Sequence, residues 1–340
     1  MTTITRADTA LRRAAVRATL APSVHNTQPW QFHLRPDALD IYADRSRQLN
    51  VLDPTGRQLI LSCGCALFNA RTSLAADDVR VHVERFPIEH RSELLARVTY
   101  VADGSSESSE IRSLERVIQL RQTNRRRFAE DAVPDDVVDV LENAAAAEGA
   151  QLFVVRDPDQ RITVASLSQH ADEIENLNPA YRAELRAWTS EDPARRDGVP
   201  PAAVPHVDGT SGDEIPIRDF DSHGHGYLPA ETHSSRNQCL VLLCTTGDTP
   251  ADWLRAGEAL ERVLLEVTRH GYAASPLTQI TEVPSARAQL RTELRLQGYP
   301  HILLRIGRAA TTPGSRRRRL IDVIVEDVDA DLHRTHLDRA

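Results

Sequence analysis

Apolar side chains recur along the chain with two different periods, and these periods predict helices and strands in alternation. Residues 8–20 carry alanines and leucines three or four positions apart, which is the spacing of one buried helical face. Residues 79–86 alternate valines with other side chains, as a half-buried strand does. The same patterns predict further helices at 58–74, 109–120, 134–147, 160–176 and 250–270, and further strands at 30–34, 39–43, 151–155, 239–245 and 301–306.

The signals that begin and end these elements support the same alternation. Thr249 precedes Pro250 and Asp252, which is the order of a helix cap, a first-turn proline and an acid at the third position. Gly271 is the kind of residue on which a helix ends. The interleaved helices and strands indicate an α/β or α+β fold.

Two stretches of the chain share one pattern, a helix followed by a break and a strand. They span residues 12–34 and residues 136–155. The break in the first stretch carries the long insertion 22–29, whereas the second has only residues 148–150. The pattern indicates a duplication without proving one, because a helix followed by a strand is common.

Two segments lack the periodicity of the rest. Residues 103–110 are rich in Ser, Gly and Glu and are typical of a linker. Residues 206–228 are rich in Gly, Asp, Ser and His, and so long a loop is uncommon unless it is a lid or is disordered.

Length, composition and charge limit the classes of protein to which this chain could belong. A length of 340 residues corresponds to one large or two ordinary domains, and four cysteines do not make a disulfide framework. The longest apolar runs are too short to cross a bilayer, and no signal segment is recognisable, so we expect a cytoplasmic protein with no membrane partner. The net charge of −8 argues against a nucleic-acid binder.

Every one of the 41 cationic residues is arginine. The absence of lysine excludes Schiff-base chemistry and P-loop phosphate binding. An anion bound by this chain must therefore be held by guanidinium groups, backbone amides or hydroxyls.

Metal and nucleotide motifs are weak or missing. Cys63 and Cys65 would point to different sides of a helix, so we interpret them as core residues, and His223 and His225 lack acidic or thiol partners. We expect no metal. The dinucleotide motif Gly-x-Gly-x-x-Gly and the hydrolase motif Gly-x-Ser-x-Gly are both absent.

The insertion at 22–29 carries the first candidate chemistry. Prolines stiffen a loop that presents Ser23, His25, Asn26 and Gln28, all neutral donors or acceptors. Such a set suits a planar, heteroatom-rich ligand edge such as the pyrimidine of a flavin. A polar turn that caps a helix and a strand would have the same composition.

A second candidate group consists of alternate residues in one segment. Arg121, Thr123 and Arg125 would face the same way in an extended chain and could hold a phosphate with two guanidinium groups and one hydroxyl. A solvated basic run is the alternative. Residues 316–319 are four consecutive arginines, of which at most two could reach one ligand.

Both candidate groups resemble motifs of the nitroreductase family. The flavin-contacting loop of that family is similar to APSVHNTQPWQF, and its phosphate motif is similar to RQTNRRRF. Here the loop precedes the phosphate motif by about a hundred residues, an order that resembles the Acg branch found in actinobacteria. The resemblance extends over about residues 12–325 and includes SPLTQITEVPSARAQL and GYPHILLRIGRA.

This resemblance implies an α+β nitroreductase-like fold, with an antiparallel central sheet flanked by helices and two pseudo-symmetric halves in one chain. The halves would span residues 1–108, with the flavin-contacting loop, and 109–340, with the phosphate motif and a lid-like insertion at about 188–229. One chain would then be a monomeric pseudo-dimer that binds one FMN. The resemblance assigns the FMN phosphate to Arg121, Thr123, Arg125 and Arg317, and the rest of the flavin to Pro22, Ser23, His25, Asn26 and Gln28.

The function implied is an FMN-dependent oxidoreductase that transfers electrons from NAD(P)H to a small-molecule acceptor. Such a reaction needs no acid–base residue of the protein, because the flavin carries the electrons, and no catalytic side chain is assigned. Two alternatives stay open. The chain could sequester flavin under a lid with little turnover, or it could be a biosynthetic oxidase with oxygen as the acceptor.

Overall fold

The computed structural model describes residues 6–102, 109–126, 128–189, 192, 194–200, 203, 218 and 238–326. Within these ranges the helices are α1 (Arg6–Ala18), α2 (Arg57–Ala76), α3 (Ser109–Ser113), α4 (Asp135–Ala147), α5 (Pro158–Leu177), α6 (Pro179–Ala187), α7 (Pro250–Arg269), α8 (Gln279–Glu282) and α9 (Pro284–Glu293). The strands are β1 (Trp30–Leu34), β2 (Ala38–Ala43), β3 (Val81–Arg85), β4 (Leu94–Tyr100), β5 (Gln151–Val154), β6 (Cys239–Thr245), β7 (Ala273–Leu277), β8 (Tyr299–Gly307) and β9 (Ile324–Glu326).

Each half of the chain carries a sheet of its own. The first has the order β3-β4-β2-β1-β9 and the second the order β5-β6-β8-β7. All pairs are antiparallel except β1 and β9, which run parallel with Phe32 opposite Ile324. The α+β class is confirmed. The C-terminal strand β9 returns to the first sheet, so the chain crosses the predicted boundary at 108/109, and that boundary stays a prediction.

The centre of the molecule is the crossing of α2 and α7. A side chain on Gly64 would meet the backbone of Leu254 and Gly257, and one on Gly257 would meet the backbone of Leu61 and Gly64. Leu61 and Leu254 stand three residues before the two glycines, so the contacts are reciprocal, as across a two-fold axis. The predicted pseudo-symmetry of the two halves is therefore visible at this crossing.

Helix α2 is almost wholly buried, because it lies between the two halves. By length and composition it could cross a membrane, but 94% of its apolar window is buried inside the fold. Cys63 and Cys65 lie in this buried helix, as predicted for core residues.

Several local predictions are confirmed. Thr249 and Asp252 form a reciprocal capping box at the start of α7, with Pro250 at its first position. Strands β1 and β2, which correspond to the predicted strands at 30–34 and 39–43, pair as an antiparallel hairpin. Of the predicted linker at 103–110, the described residues are Ser109 and Glu110. Of the lid-like segment at 206–228, the described residue is Arg218, and His223 and His225 lie outside the described residues.

Candidate functional site

Two adjoining pockets lie beside the α2–α7 crossing and share the walls formed by Pro22, Ser23, Thr123 and Arg125. One contains about 780 Å³ and the other about 690 Å³ of empty space, open solvent at their mouths included. The first is mostly apolar and the second mostly polar. Together they bring eight of the nine predicted site residues around one continuous space: Pro22, Ser23, His25, Asn26, Arg121, Thr123, Arg125 and Arg317.

The loop between α1 and β1 enters this space in a strained conformation. His25, Asn26 and Gln28 all have positive φ angles, of 46°, 55° and 51°. Residues other than glycine rarely adopt this region, at a cost of about 1–3 kcal/mol each, and such strain is concentrated at functional sites. The backbone N–H of Gln28 donates a hydrogen bond of 2.9 Å to Ser23 Oγ, which links the two ends of this loop. The strain favours a binding loop over a plain capping turn.

The polar pocket has two arginines at its wall. Arg121 is 6% exposed and comes from the segment after α3, whereas Arg317 comes from the segment before β9. Arg317 Nη1 donates to Asn26 Oδ1 at 3.2 Å, and its Nη2 donates to the carbonyls of Leu20 and Ala21 at 3.1 and 3.2 Å. Burial, and then the neighbouring Arg121, lower the pKa of Arg317 to about 9. The two guanidinium groups therefore stand close together and partly desolvated, an arrangement that an anion would stabilise.

Arg121, Thr123 and Arg125 line the same space because the chain is extended there. Thr123 pairs with Ala274 at the edge of the second sheet, and the residues two before and two after it point to the same side. Burial, followed by repulsion from Arg218, lowers the pKa of Arg125 to about 10. Arg125 lines both pockets and so lies at their junction.

The apolar pocket lies between the two central helices and the strained loop. Its walls include Leu61 and Cys65 of α2, Leu260 and Leu264 of α7, and Ile302 of β8. Burial, then Glu261, raise the pKa of the Cys65 thiol well above its usual range, so this cysteine is not a thiolate nucleophile. The pocket can hold a flat apolar group, with polar contacts at its rim.

Arg218 adds a buried cation to that pocket and comes from the predicted insertion. It is 6% exposed, forms an ion pair with Glu282 and lies 3.7 Å from Glu175. Its Nη1 donates to His25 Nε2 at 2.5 Å, and burial lowers the pKa of His25 well below its usual value, so the imidazole is neutral. Burial, opposed by Arg218, raises the pKa of Glu175 to about 8. The insertion is thus tied at this residue to the predicted flavin-contacting loop.

Gln28 is the one predicted site residue that lines neither pocket. It is fully buried, and its Oε1 accepts from the Arg318 amide at 2.7 Å while its Nε2 donates to the Arg196 carbonyl at 2.9 Å. These contacts hold the C-terminal arginine run against the loop. Its role as a flavin ligand stays a prediction.

The four consecutive arginines separate as their spacing requires. Arg317 turns into the polar pocket, Arg318 donates to the Gln28 carbonyl, and Arg319 forms an ion pair with Asp322. Arg316 is exposed. Gly314 and Ser315, which the sequence did not single out, also line the polar pocket.

Two buried acids near the site, Glu261 and Glu282, were also missed by the sequence interpretation. No motif or spacing marks either acid in the sequence. The packing of α7 brings Glu261 to Arg121, and the packing of α8 brings Glu282 to Arg218. Thr278 and Gln279 line the apolar pocket and belong to the segment SPLTQITEVPSARAQL. The resemblance of that segment to the family was the signal that could have placed α8 at the site.

A network of ion pairs fills the position related to this site by the local two-fold axis. Glu258 follows Gly257 as Cys65 follows Gly64, and Arg71 stands where the other helix has Leu264. Arg71 Nη1 lies 2.8 Å from Glu258 and 2.6 Å from Glu148, which belongs to the short 148–150 turn. The two halves therefore differ: one position is a pocket, and its counterpart holds buried charged side chains.

The sequence comparisons agree with this architecture. No family model matches the chain. A protein of Mycobacterium tuberculosis, provisionally named NAD(P)H nitroreductase acg, is 32% identical over 319 residues, which cover 92% of this chain and 94% of the relative. The chain belongs to the nitroreductase family, in its Acg branch.

Two further similarities are to an uncharacterized relative and to a solved structure. An uncharacterized protein of the same organism is 31% identical over 326 residues, covering 93% of this chain and 92% of the relative. The solved nitroreductase with bound FMN from Desulfitobacterium hafniense has a TM-score of 0.41 and 10% identity, covering 64% of this chain and 98% of that one.

Proposed function

We propose that the two adjoining pockets bind one FMN and that the chain is an FMN-dependent oxidoreductase using NAD(P)H. The observation that carries this proposal is the junction of an apolar pocket with a polar pocket that holds two close, partly desolvated arginines. FMN has a flat ring system at one end and a phosphate at the other. Membership of the nitroreductase family and the name of the Mycobacterium tuberculosis relative support the same cofactor chemistry.

The residues present fit FMN in charge as well as shape. Among the described residues, Arg317 forms no ion pair with a carboxylate, and its buried Nε lacks an acceptor. A buried guanidinium in that state is stabilised by an anion. We assign the phosphate to Arg121, Thr123 and Arg317, with Arg125 at the junction. Pro22, Ser23, His25 and Asn26 would then contact the remainder of the flavin.

FMN, when bound, would supply the transfer of a hydride from a reduced nicotinamide and of two electrons to an acceptor. The part of the protein is to position the cofactor and to set the charge around it. His25, kept neutral by burial, offers its imidazole without adding charge, whereas Arg125 adds positive potential to the ring pocket and the charge of Arg218 is balanced by Glu282. Such a potential favours the more negative, reduced state of the cofactor.

Flavin sequestration is the second candidate, and Arg218 is the observation that favours it. This residue of the 188–229 insertion is buried in the wall of the apolar pocket and is held there by Glu282. An anchor of this kind would restrict access by nicotinamide and by an acceptor. Of the rest of the predicted lid, the described residues are 188, 189, 192, 194–200 and 203.

The two candidates differ in how fast NADPH reduces the bound flavin. Mixing the FMN-loaded protein with NADPH without oxygen should bleach the flavin absorbance within seconds if the chain is an oxidoreductase. Arg218→Gln removes the charge that pairs with Glu282, so in the sequestration case this variant should be reduced at least tenfold faster than the wild type. Arg182→Gln, a change of an exposed arginine on α6, is the matched control.

Each combination of reduction rates distinguishes between the candidate functions. Fast reduction of the wild type supports the oxidoreductase and contradicts sequestration. Slow reduction of the wild type with fast reduction of Arg218→Gln supports sequestration. Slow reduction of both, with FMN bound, contradicts a nicotinamide-dependent activity and favours the oxygen-using oxidase.

A further inference from the structure

A fully buried carboxylate lies behind the polar pocket. Glu261 of α7 is 0% exposed, and its nearest cation is Arg121, whose Nε is 3.5 Å from Glu261 Oε1. Among the described residues, neither carboxylate oxygen accepts a hydrogen bond of good geometry, although the Asn69 side chain lies beside it, and Arg121 Nε donates none of good geometry. A buried carboxylate in this state is costly, so its position calls for an explanation.

Charged and polar groups surround Glu261 from two sides. Arg121 and Arg317 face it from the pocket side, and the Asn69 amide and the Cys65 thiol of α2 lie beside it. Burial raises the pKa of Glu261 to about 7, with Arg121 as the main opposing influence. Two guanidinium groups thus share one carboxylate whose charge depends on pH near neutrality.

We propose that Glu261 is a positioning residue that tunes the anion site, and that a phosphate monoester binds to Arg121 and Arg317 together with uptake of one proton by Glu261. The inference rests on the proposed function and deepens it. Without ligand, the ionised carboxylate balances Arg121 and keeps its guanidinium at the pocket wall. With a phosphate dianion on the other side of the same guanidinium, the two anions repel each other, and the neutral carboxylic acid is favoured.

The direction of the pH effect follows from this competition. A carboxylate that must be protonated for tight binding lowers affinity as pH rises through its pKa of about 7. The second ionisation of a phosphate monoester, at a pKa of about 6, acts in the opposite sense but is nearly complete above pH 7. Arg317, with a pKa of about 9, stays mostly charged up to pH 8.5. Between pH 7 and 8.5 the titration of Glu261 therefore dominates.

The experiment is a titration of the flavin-free protein with FMN at pH 7.0, 7.75 and 8.5. We expect the wild type to lose about tenfold in affinity over this range, since each pH unit above the pKa of an obligatory proton is worth up to tenfold. Glu261→Gln keeps the shape but cannot titrate, so its affinity should be flat with pH and exceed that of the wild type at pH 8.5. Calorimetry in two buffers of different ionisation enthalpy should show proton uptake in the wild type only.

Two controls separate this role from a merely structural one. Glu266→Gln changes another buried acid of α7, paired with Arg269 and away from the pockets, and should keep the wild-type pH profile. Riboflavin lacks the phosphate, and its affinity should not depend on pH in either protein.

A Glu261→Gln protein that binds FMN with the wild-type pH profile would overturn the inference and leave the proposed function intact. Equal loss of FMN and riboflavin affinity in that variant would also overturn it, because a structural defect acts on both ligands. A wild type that binds no FMN at any pH would overturn the proposed function and the inference with it.

Discussion

Arg121→Ala and Arg317→Ala should each weaken FMN binding by about 1.5–3 kcal/mol, the usual worth of a hydrogen bond to a charged group. The reason is that both guanidinium groups stand partly desolvated at the wall of the polar pocket, so each can donate hydrogen bonds to a bound phosphate. Riboflavin, which lacks the phosphate, should bind both variants almost as it binds the wild type. Fluorescence quenching of the flavin on titration gives both affinities.

Arg316→Ala is the matched control for this prediction. Arg316 belongs to the same run of four arginines but is exposed, and only its backbone carbonyl contacts the loop, through Asn26 Nδ2 at 3.1 Å. Its removal should leave FMN affinity unchanged. If Arg121→Ala and Arg317→Ala also bind FMN like the wild type, the arginines are a solvated basic face and the phosphate assignment is wrong.

Glu258→Ala should lower the free energy of unfolding by about 3–5 kcal/mol, the cost of removing one partner from a buried ion pair. Glu258 is 1% exposed and holds Arg71 at 2.8 Å and Arg85 at 2.6 Å. Its loss removes a buried carboxylate that balances Arg71 and Arg85 in the counterpart position of the proposed flavin site. Urea denaturation followed by circular dichroism measures the change.

Arg156→Ala is the control for the stability prediction, because its ion pair with Asp135 lies on the surface of α4 and is exposed to water. We expect no measurable change there, since exposed pairs contribute little. A loss of less than about 1 kcal/mol for Glu258→Ala would contradict the view that the ionic network stabilises the asymmetry between the halves.

Most of the helices and strands could be predicted from local patterns in the sequence. The capping residues Thr249 and Asp252 fix the start of α7, and the hairpin of β1 and β2 follows from two β-rich runs joined by a short turn. Strand β7 was missed because it contains Pro276, which reads as a strand breaker. The structure tolerates it because β7 is the edge strand of its sheet.

Elements that depend on distant partners could not be predicted. Strand β9 has three residues and exists because β1 pairs with it across almost the whole chain, so no local pattern marks it. The same pairing carries Arg317 to the loop that contains Asn26.

The residues of the candidate site also form two groups, those that a local sequence pattern marks and those that only tertiary packing brings to the site. The motif residues at 22–28 and 121–125 are visible in the sequence, because the loop and the extended segment present them locally. Glu261 and Arg218 could not be assigned, since one reaches the site by helix packing and the other from an insertion without periodicity.

The most direct test of the account is the amount and kind of flavin that the wild-type chain binds. Flavin-free protein is titrated with FMN and, separately, with riboflavin, and the bound flavin is counted against protein concentration. We expect saturation at one FMN per chain, because the counterpart position is filled by Arg71, Glu148 and Glu258, and a much weaker affinity for riboflavin. Two FMN per chain, equal affinity for the two flavins, or no binding of FMN would contradict it.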